Sequence, residues 1–294
     1  MKKALFFAAA LAISLSAAAQ NADSVTFANA PRKNLDLPKG ASGYTVERVN
    51  IFDSAQTISV ITYSPKKFSS AIILPEKLTP LSKTATANDA DFGVNAGYWD
   101  VKISLPSTFL RLGGKQIAVT ADFEKERVDG LVCVAKKKII IDYCKAGEEA
   151  KYAAKYDNIL ASGPVLIDEG TSVDHEGYTK SLVEATHGKD IGAHYTYIRR
   201  HPRTAIGTDK KGNIALVVVD GRSKGNADGV TIAELTKICE WLGLSDAINL
   251  DGGSSSTMWS ATEGVINYPC RNKKFDHVGE RKISSIISVK SRRK

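Results

Sequence analysis

One stretch of this chain reads without ambiguity as a helix, and it constrains everything around it. Thr231 followed three residues later by Glu234 makes a capping box, Ile232, Leu235, Ile238, Cys239 and Leu242 form an apolar stripe, and Gly243 ends it. Nearly everywhere else the apolar residues come in short runs broken by turn residues. Tyr44–Phe52 and Gln56–Tyr63 flank Asp53-Ser54-Ala55, and short runs continue through 108–144 with breaks at Gly113-Gly114 and Lys136 to Lys138. Thr79-Pro80 marks a second, shorter helix to about Ala87. Short strands in sequence pair with their neighbours, so the expected fold is α+β: a single domain with a mixed, largely antiparallel sheet core and few helices.

Residues 1–19 have the grammar of a secretory signal, with Lys2 and Lys3, an apolar run from Ala4 to Leu15, and small residues at Ala17 and Ala19 before Gln20. The run is too short to span a bilayer, so the expected mature chain is exported, periplasmic or secreted, with no transmembrane anchor. Polar residues 20–42, with Pro31, Pro38 and Gly40, predict a flexible leader, and 43–294 the domain itself. A formal charge of +8, which includes Lys2 and Lys3, favours anionic partners only mildly. The lysines sit beside turns rather than on one aromatic-interleaved face, which argues against nucleic acid. Cys133, Cys144, Cys239 and Cys270 allow three disulfide pairings and contain no Cys-x-x-Cys, and His175, His187 and His194 lie far apart, so no metal site is expected.

The helix returns the chain into Ala247-Ile248-Asn249-Leu250-Asp251-Gly252-Gly253-Ser254-Ser255-Ser256. A strand ending in a carboxylate, two glycines and three serines brings an acid, bare N–H groups and hydroxyls to one point, as an anion site with a catalytic carboxylate requires. The same residues would also serve a tight turn in which Asp251 bonds its own backbone. Two further strand ends carry arginines: Arg203-Thr204 opens a strand, and Asp220-Gly221-Arg222 closes the next. Each guanidinium offers a planar fork matched to phosphate oxygens, or an ordinary surface ion pair such as Arg222 with Asp220. Asn95, between small residues at the end of Phe92–Val94, either aims its amide into a cleft or stabilises a turn.

In this order and spacing, Val94-Asn95-Ala96-Gly97-Tyr98, Pro202 to Gly207, Asp220-Gly221-Arg222 and Asn249 to Ser255 resemble the phosphodiester glycosidase family, over about Pro80 to Val289. Ser254 stands where that family commonly has a third glycine. The resemblance implies hydrolysis of a sugar-1-phosphodiester, such as an N-acetylglucosamine-1-phosphodiester, at the glycosidic bond, without a cofactor. It implies Asp251 as nucleophile or general base with Asp220 as second carboxylate, in either order of roles. Arg203 and Arg222 would hold the phosphate with the Gly252 and Gly253 N–H groups and the Ser255 and Ser256 hydroxyls, and Asn95 a sugar hydroxyl. Thr204, Asn249 and Ser254 complete the expected substrate-binding set. Arg281 matches a late arginine of the family, facing the cleft or steadying Asp251. A phosphodiesterase that cleaves P–O with a divalent cation on Asp220 and Asp251, or a non-catalytic glycan-binding protein, would use the same residues.

Overall fold

The computed structural model describes residues 22–136, 138–178, 180 and 197–292, and the expected signal at 1–19 lies outside them. The largest sheet runs in the order Lys33–Asn34, Ala41–Ile51, Ser54–Tyr63, Ile214–Val219, Arg203–Asp209, Leu244–Asn249, Val165–Asp168, Thr171–Ser172. Its central strand, Ile214–Val219, is buried along its whole length because it is covered on both faces. Alternation divides it between two cores. Ile214, Leu216 and Val218 join Ile206 and Ile248 on one side, while Ala215, Val217 and Val219 join Ala205 and Ala247 on the other.

The second face is covered by the helix Ile232–Trp241. Its capping box is complete, the Thr231 side chain accepting from the Glu234 N–H and the Glu234 carboxylate from the Thr231 N–H. Glu234 also receives the Arg200 guanidinium, so its role is structural. The first core is closed by a five-stranded sheet in the order Gly264–Val265, Met258–Ser260, Phe92–Asn95, Ile286–Ser291, Phe68–Ile73. A further five-stranded sheet joins Lys115–Ala118, Leu110–Leu112, Ile159–Ser162, Gly130–Ala135 and Lys138–Tyr143. Among the described residues every ladder between named strands is antiparallel, and the parallel contribution is one bridge, Lys39 with Ala41. The fold is the expected α+β, largely antiparallel, with few helices.

Three local expectations change. Within residues 20–42, read as a flexible leader, the described part begins with a helix over 22–29 whose Phe27 is buried against Trp241, ring centroids 5.8 Å apart. Asp23 accepts from the Phe52 N–H at 3.0 Å, so contacts more than twenty residues away order a segment whose composition is polar. The short helix spans Leu81–Ala87, but Pro80 rather than Thr79 is its N-cap and makes no side-chain cap. All four cysteines are free thiols, with Cys133, Cys144 and Cys239 buried. Of the widely spaced histidines, His175 is buried and its Nε2 bonds the Val165 carbonyl at 2.7 Å; His187 and His194 lie outside the described residues.

Candidate active site

Antiparallel register explains why distant motifs meet. Arg203 pairs with Val219, and Ala205 with Asn249. The start of one strand and the ends of its two neighbours therefore share one edge of the sheet, which carries Arg203, Arg222 and Asp251 to one place. There the chain encloses a cavity of about 350 Å³. Asp251 supplies the acidic group of its wall, and Arg127, Arg203, Arg222 and Arg281 supply four guanidinium groups.

The loop after Asp251 is shaped by its glycines. Gly253 has φ +62°, a left-handed conformation, and a Cβ there would stand 3.0 Å from Arg222 Nη2. At Gly252 a Cβ would meet the Pro202 carbonyl oxygen at 2.9 Å. The bare backbone thus lets the loop lie against the arginine-bearing strands. The Gly252 N–H donates to Asp251 Oδ1 at 2.9 Å, and the Asp251 N–H to the Ala96 carbonyl at 2.9 Å. Burial pushes the Asp251 carboxyl up to about 6, against the opposing pull of Ser255, Arg127, Arg281 and the Gly252 N–H. Asp251 is therefore ionised at neutral pH but held close to its titration.

The arginines are fixed differently. Arg203 is buried, donating from Nε to the Val230 carbonyl and from Nη2 to the Arg199 carbonyl, each at 2.9 Å. Burial draws it down to about 10, so it remains a cation at neutral pH. Arg222 holds a left-handed backbone, φ 63°, and its Nη2 approaches His201 Nδ1 at 3.4 Å. His201, also on the wall, is lowered to about 4 by burial and by Arg203, Arg222 and Arg199, so it adds no charge at neutral pH. Arg281 stacks over the Trp99 ring at 4.5 Å and donates to Ser254 Oγ at 3.3 Å. Arg127 stacks over Tyr98 at 4.0 Å and is ion-paired to the buried Glu124. Asn249 also lines the cavity, its amide donating to Tyr98 Oη and the Gly163 carbonyl, each at 2.9 Å.

Gly252, Gly253, Ser254, Asn249, Asp251, Arg203, Arg222 and Arg281 thus lie on one cavity, but other expected residues do not. Asp220 is buried away from it, with Oδ1 accepting from Asn267 Nδ2 at 2.7 Å and from the Tyr268 N–H at 3.0 Å. Burial pushes its carboxyl up to about 7, and Oδ2 accepts no bond among the described residues, as suits a carboxyl that readily keeps its proton. Only Gly221 lies between Asp220 and Arg222, a spacing that would put both side chains on one face of a continuing strand, but the strand ends at Val219 and the left-handed backbone at Arg222 breaks that relation, so one faces the cavity and the other stays inside.

Asn95, assigned to a sugar hydroxyl, is a buried clamp instead. Its amide donates to the Asp251 carbonyl, while its oxygen accepts from Thr204 Oγ1 at 2.7 Å and the Thr257 N–H at 3.0 Å. It ties the second sheet to the Asp251 loop, and Thr204 is spent on the same clamp. Ser255 and Ser256 are buried and off the cavity lining. Arg127, Trp99, Val101 and His201 line the cavity without having been assigned a role from sequence. Arg127 follows an irregular turn with no strand-end or glycine signal, so nothing local marks it.

A cavity whose wall carries four guanidinium groups and one carboxylate of raised pKa is a cationic cleft with a titratable acid on its wall. Residues 88–290 match the phosphodiester glycosidase family, a family of glycosidase-type hydrolases, and the chain belongs to it. A Bos taurus N-acetylglucosamine-1-phosphodiester alpha-N-acetylglucosaminidase is 31% identical over 93 residues, which make up 30% of this chain and 16% of that protein. Among solved structures, the zebrafish N-acetylglucosamine-1-phosphodiester alpha-N-acetylglucosaminidase catalytic domain is similar with a TM-score of 0.65 and 16% identity, covering 93% of this chain and 92% of that one. A hypothetical protein from Synechocystis has a TM-score of 0.61 and 17% identity, covering 89% of this chain and 64% of that one. At these identities the two structures share the fold.

Proposed function

We propose that this protein hydrolyses a sugar-1-phosphodiester at the glycosidic bond, releasing free sugar and a phosphomonoester. The observation that carries the reading is Asp251, with a carboxyl near 6, in a cavity walled by Arg127, Arg203, Arg222 and Arg281. Forked cations suit the phosphate, and one carboxylate suits the anomeric carbon. The C1–O bond breaks with its electron pair going to the phosphate oxygen. A phosphomonoester, with a second pKa near ~6, leaves without strong protonation, so a second carboxylic acid in the cavity is dispensable. That agrees with the position of Asp220. Asp251 meets C1 either as the attacking carboxylate or as the base that takes a proton from the attacking water, and the anomeric configuration of the first-formed sugar separates the two.

This donor set is poorly matched to a bridging divalent cation, because Asp220 does not face Asp251 across the cavity, and the wall sets four arginines against the one carboxylate it carries. The bovine and zebrafish names support N-acetylglucosamine as the first sugar to try. A panel of sugar-1-phosphodiesters scored for free sugar in oxygen-18 water tests the whole reading. Label in the sugar is expected; label in the phosphate would mean P–O cleavage, and intact esters after prolonged incubation would mean binding without catalysis.

A further inference from the structure

A second cavity, of about 510 Å³, adjoins the first and has a different chemistry. The two share walls. Trp99–Asp100 pairs with Leu105–Pro106 in a short hairpin whose Trp99 and Val101 line the arginine cleft, while Ile103 and Leu105 line the other cavity. Likewise the turn Asp122–Glu124 sends Glu124 inward to pair with Arg127 and Phe123 outward into the second cavity. Ile117 and Val119, with Leu74 and Leu78, add to its apolar lining.

These side chains are costly to leave in water. Val101, Ile103, Val119 and Phe123 are each between 62% and 64% exposed, Leu105 57% and Ile117 41%. They make up most of the large apolar side chains exposed among the described residues, gathered on one patch beside the cleft. Charge on the cavity lining is confined to Glu76, Lys77 and Asp100, one cation against two acids, which gives an anionic glycan or peptide aglycone no purchase.

A phosphodiester has two arms. If the sugar arm meets Asp251 and the phosphate meets the arginines, the shared hairpin is a wall along which the other ester arm can pass from the cleft to the apolar cavity. We infer that the aglycone of the substrate is a hydrocarbon chain, as in a sugar-1-phospholipid, and that it lies in the apolar groove lined by Ile103, Leu105, Ile117, Val119 and Phe123. The inference rests on the proposed phosphodiester substrate and narrows it to an amphiphile.

Binding of inorganic phosphate and of butyl, hexyl and octyl phosphate below their micelle concentrations, measured by calorimetry on the full chain, tests the groove without requiring turnover. Each added methylene should tighten binding about two- to fourfold, the factor for moving a CH₂ out of water. The double variant Ile103→Ser/Phe123→Ser alters exposed positions outside the cleft. It should flatten that gradient while leaving the affinity for inorganic phosphate unchanged. A gradient absent in the parent, or unaffected by the double variant, would overturn the inference. So would a concentration-dependent dimer that the double variant dissolves, which would give the patch to a second copy of the chain. Failure of the sugar ester panel to yield free sugar would reject the glycosidase reading separately, since the alkyl phosphates contain no glycosidic bond.

Discussion

Replacing Asp251 by Asn keeps the shape of the side chain and an oxygen that can accept from the Gly252 N–H, but removes the charge. Two consequences follow with opposite signs. Turnover should fall at least ~100-fold, the scale of losing one positioned acid–base group, because an amide neither attacks nor stabilises an oxocarbenium-like centre. Stability should rise. Burial lifts the folded carboxyl to about 6 from an ordinary 3.8, so ionising it in the folded state at neutral pH costs ~3 kcal/mol at most, and less to the extent that the side chain meets solvent in the cleft. The unfolded chain binds fewer protons between pH 3.8 and 6, so the parent loses this stability as pH rises through that window. The neutral variant does not. The melting temperature of Asp251→Asn should therefore match the parent near pH 3.5 and exceed it at pH 7.5 by roughly 5–10 °C. Melting curves at the two pH values and kcat/KM across pH 4.5–8.5 check both halves. The parental kcat/KM should fall below about pH 6 as Asp251 protonates. Near-parental turnover in the variant would end the catalytic assignment, and a melting difference independent of pH would refute an ionised carboxylate destabilised by its partial burial.

Asp220→Asn should cost less than about tenfold in kcat, in contrast to Asp251→Asn, because Asp220 is buried off the cavity and its nearest bonds go to Asn267 and Tyr268; side-by-side kinetics decide it, and a loss as large as that of Asp251→Asn would restore a two-carboxylate mechanism. Arg203→Lys should raise KM and also lower stability by about 1–3 kcal/mol, since one ammonium cannot keep the bonds to both the Val230 and Arg199 carbonyls; denaturant melts separate this from a pure binding effect, which would leave the midpoint unmoved. Cleavage between Ala19 and Gln20 is expected on export, and N-terminal sequencing of protein from the native host checks it; a mature chain starting at Met1 would reject it.

What could be read from the chain alone is what neighbouring residues decide among themselves. The capping box at Thr231 and Glu234, the apolar stripe that follows it and the hairpin across Asp53 are local in origin, and so is the loop of Asp251, Gly252 and Gly253 at a strand end. Arg203 and Arg222 were legible for a related reason: antiparallel neighbours bring strand ends together, and strand ends are visible as the points where apolar runs stop. Tertiary structure decided where side chains aim. Asp220 and Asp251 look alike in sequence, each an acid before a glycine at a strand end, yet one is sealed against Asn267 and the other faces the cleft. Asn95 is spent on the Asp251 loop, more than a hundred and fifty residues away. Arg127 reaches the cleft because Glu124 and the face of Tyr98 hold it there, and Phe27 orders a polar leader because Trp241 lies beneath it. Such contacts join residues with no sequence relation, and a rotation of one strand position reverses them, so periodicity and turn chemistry carry no record of them.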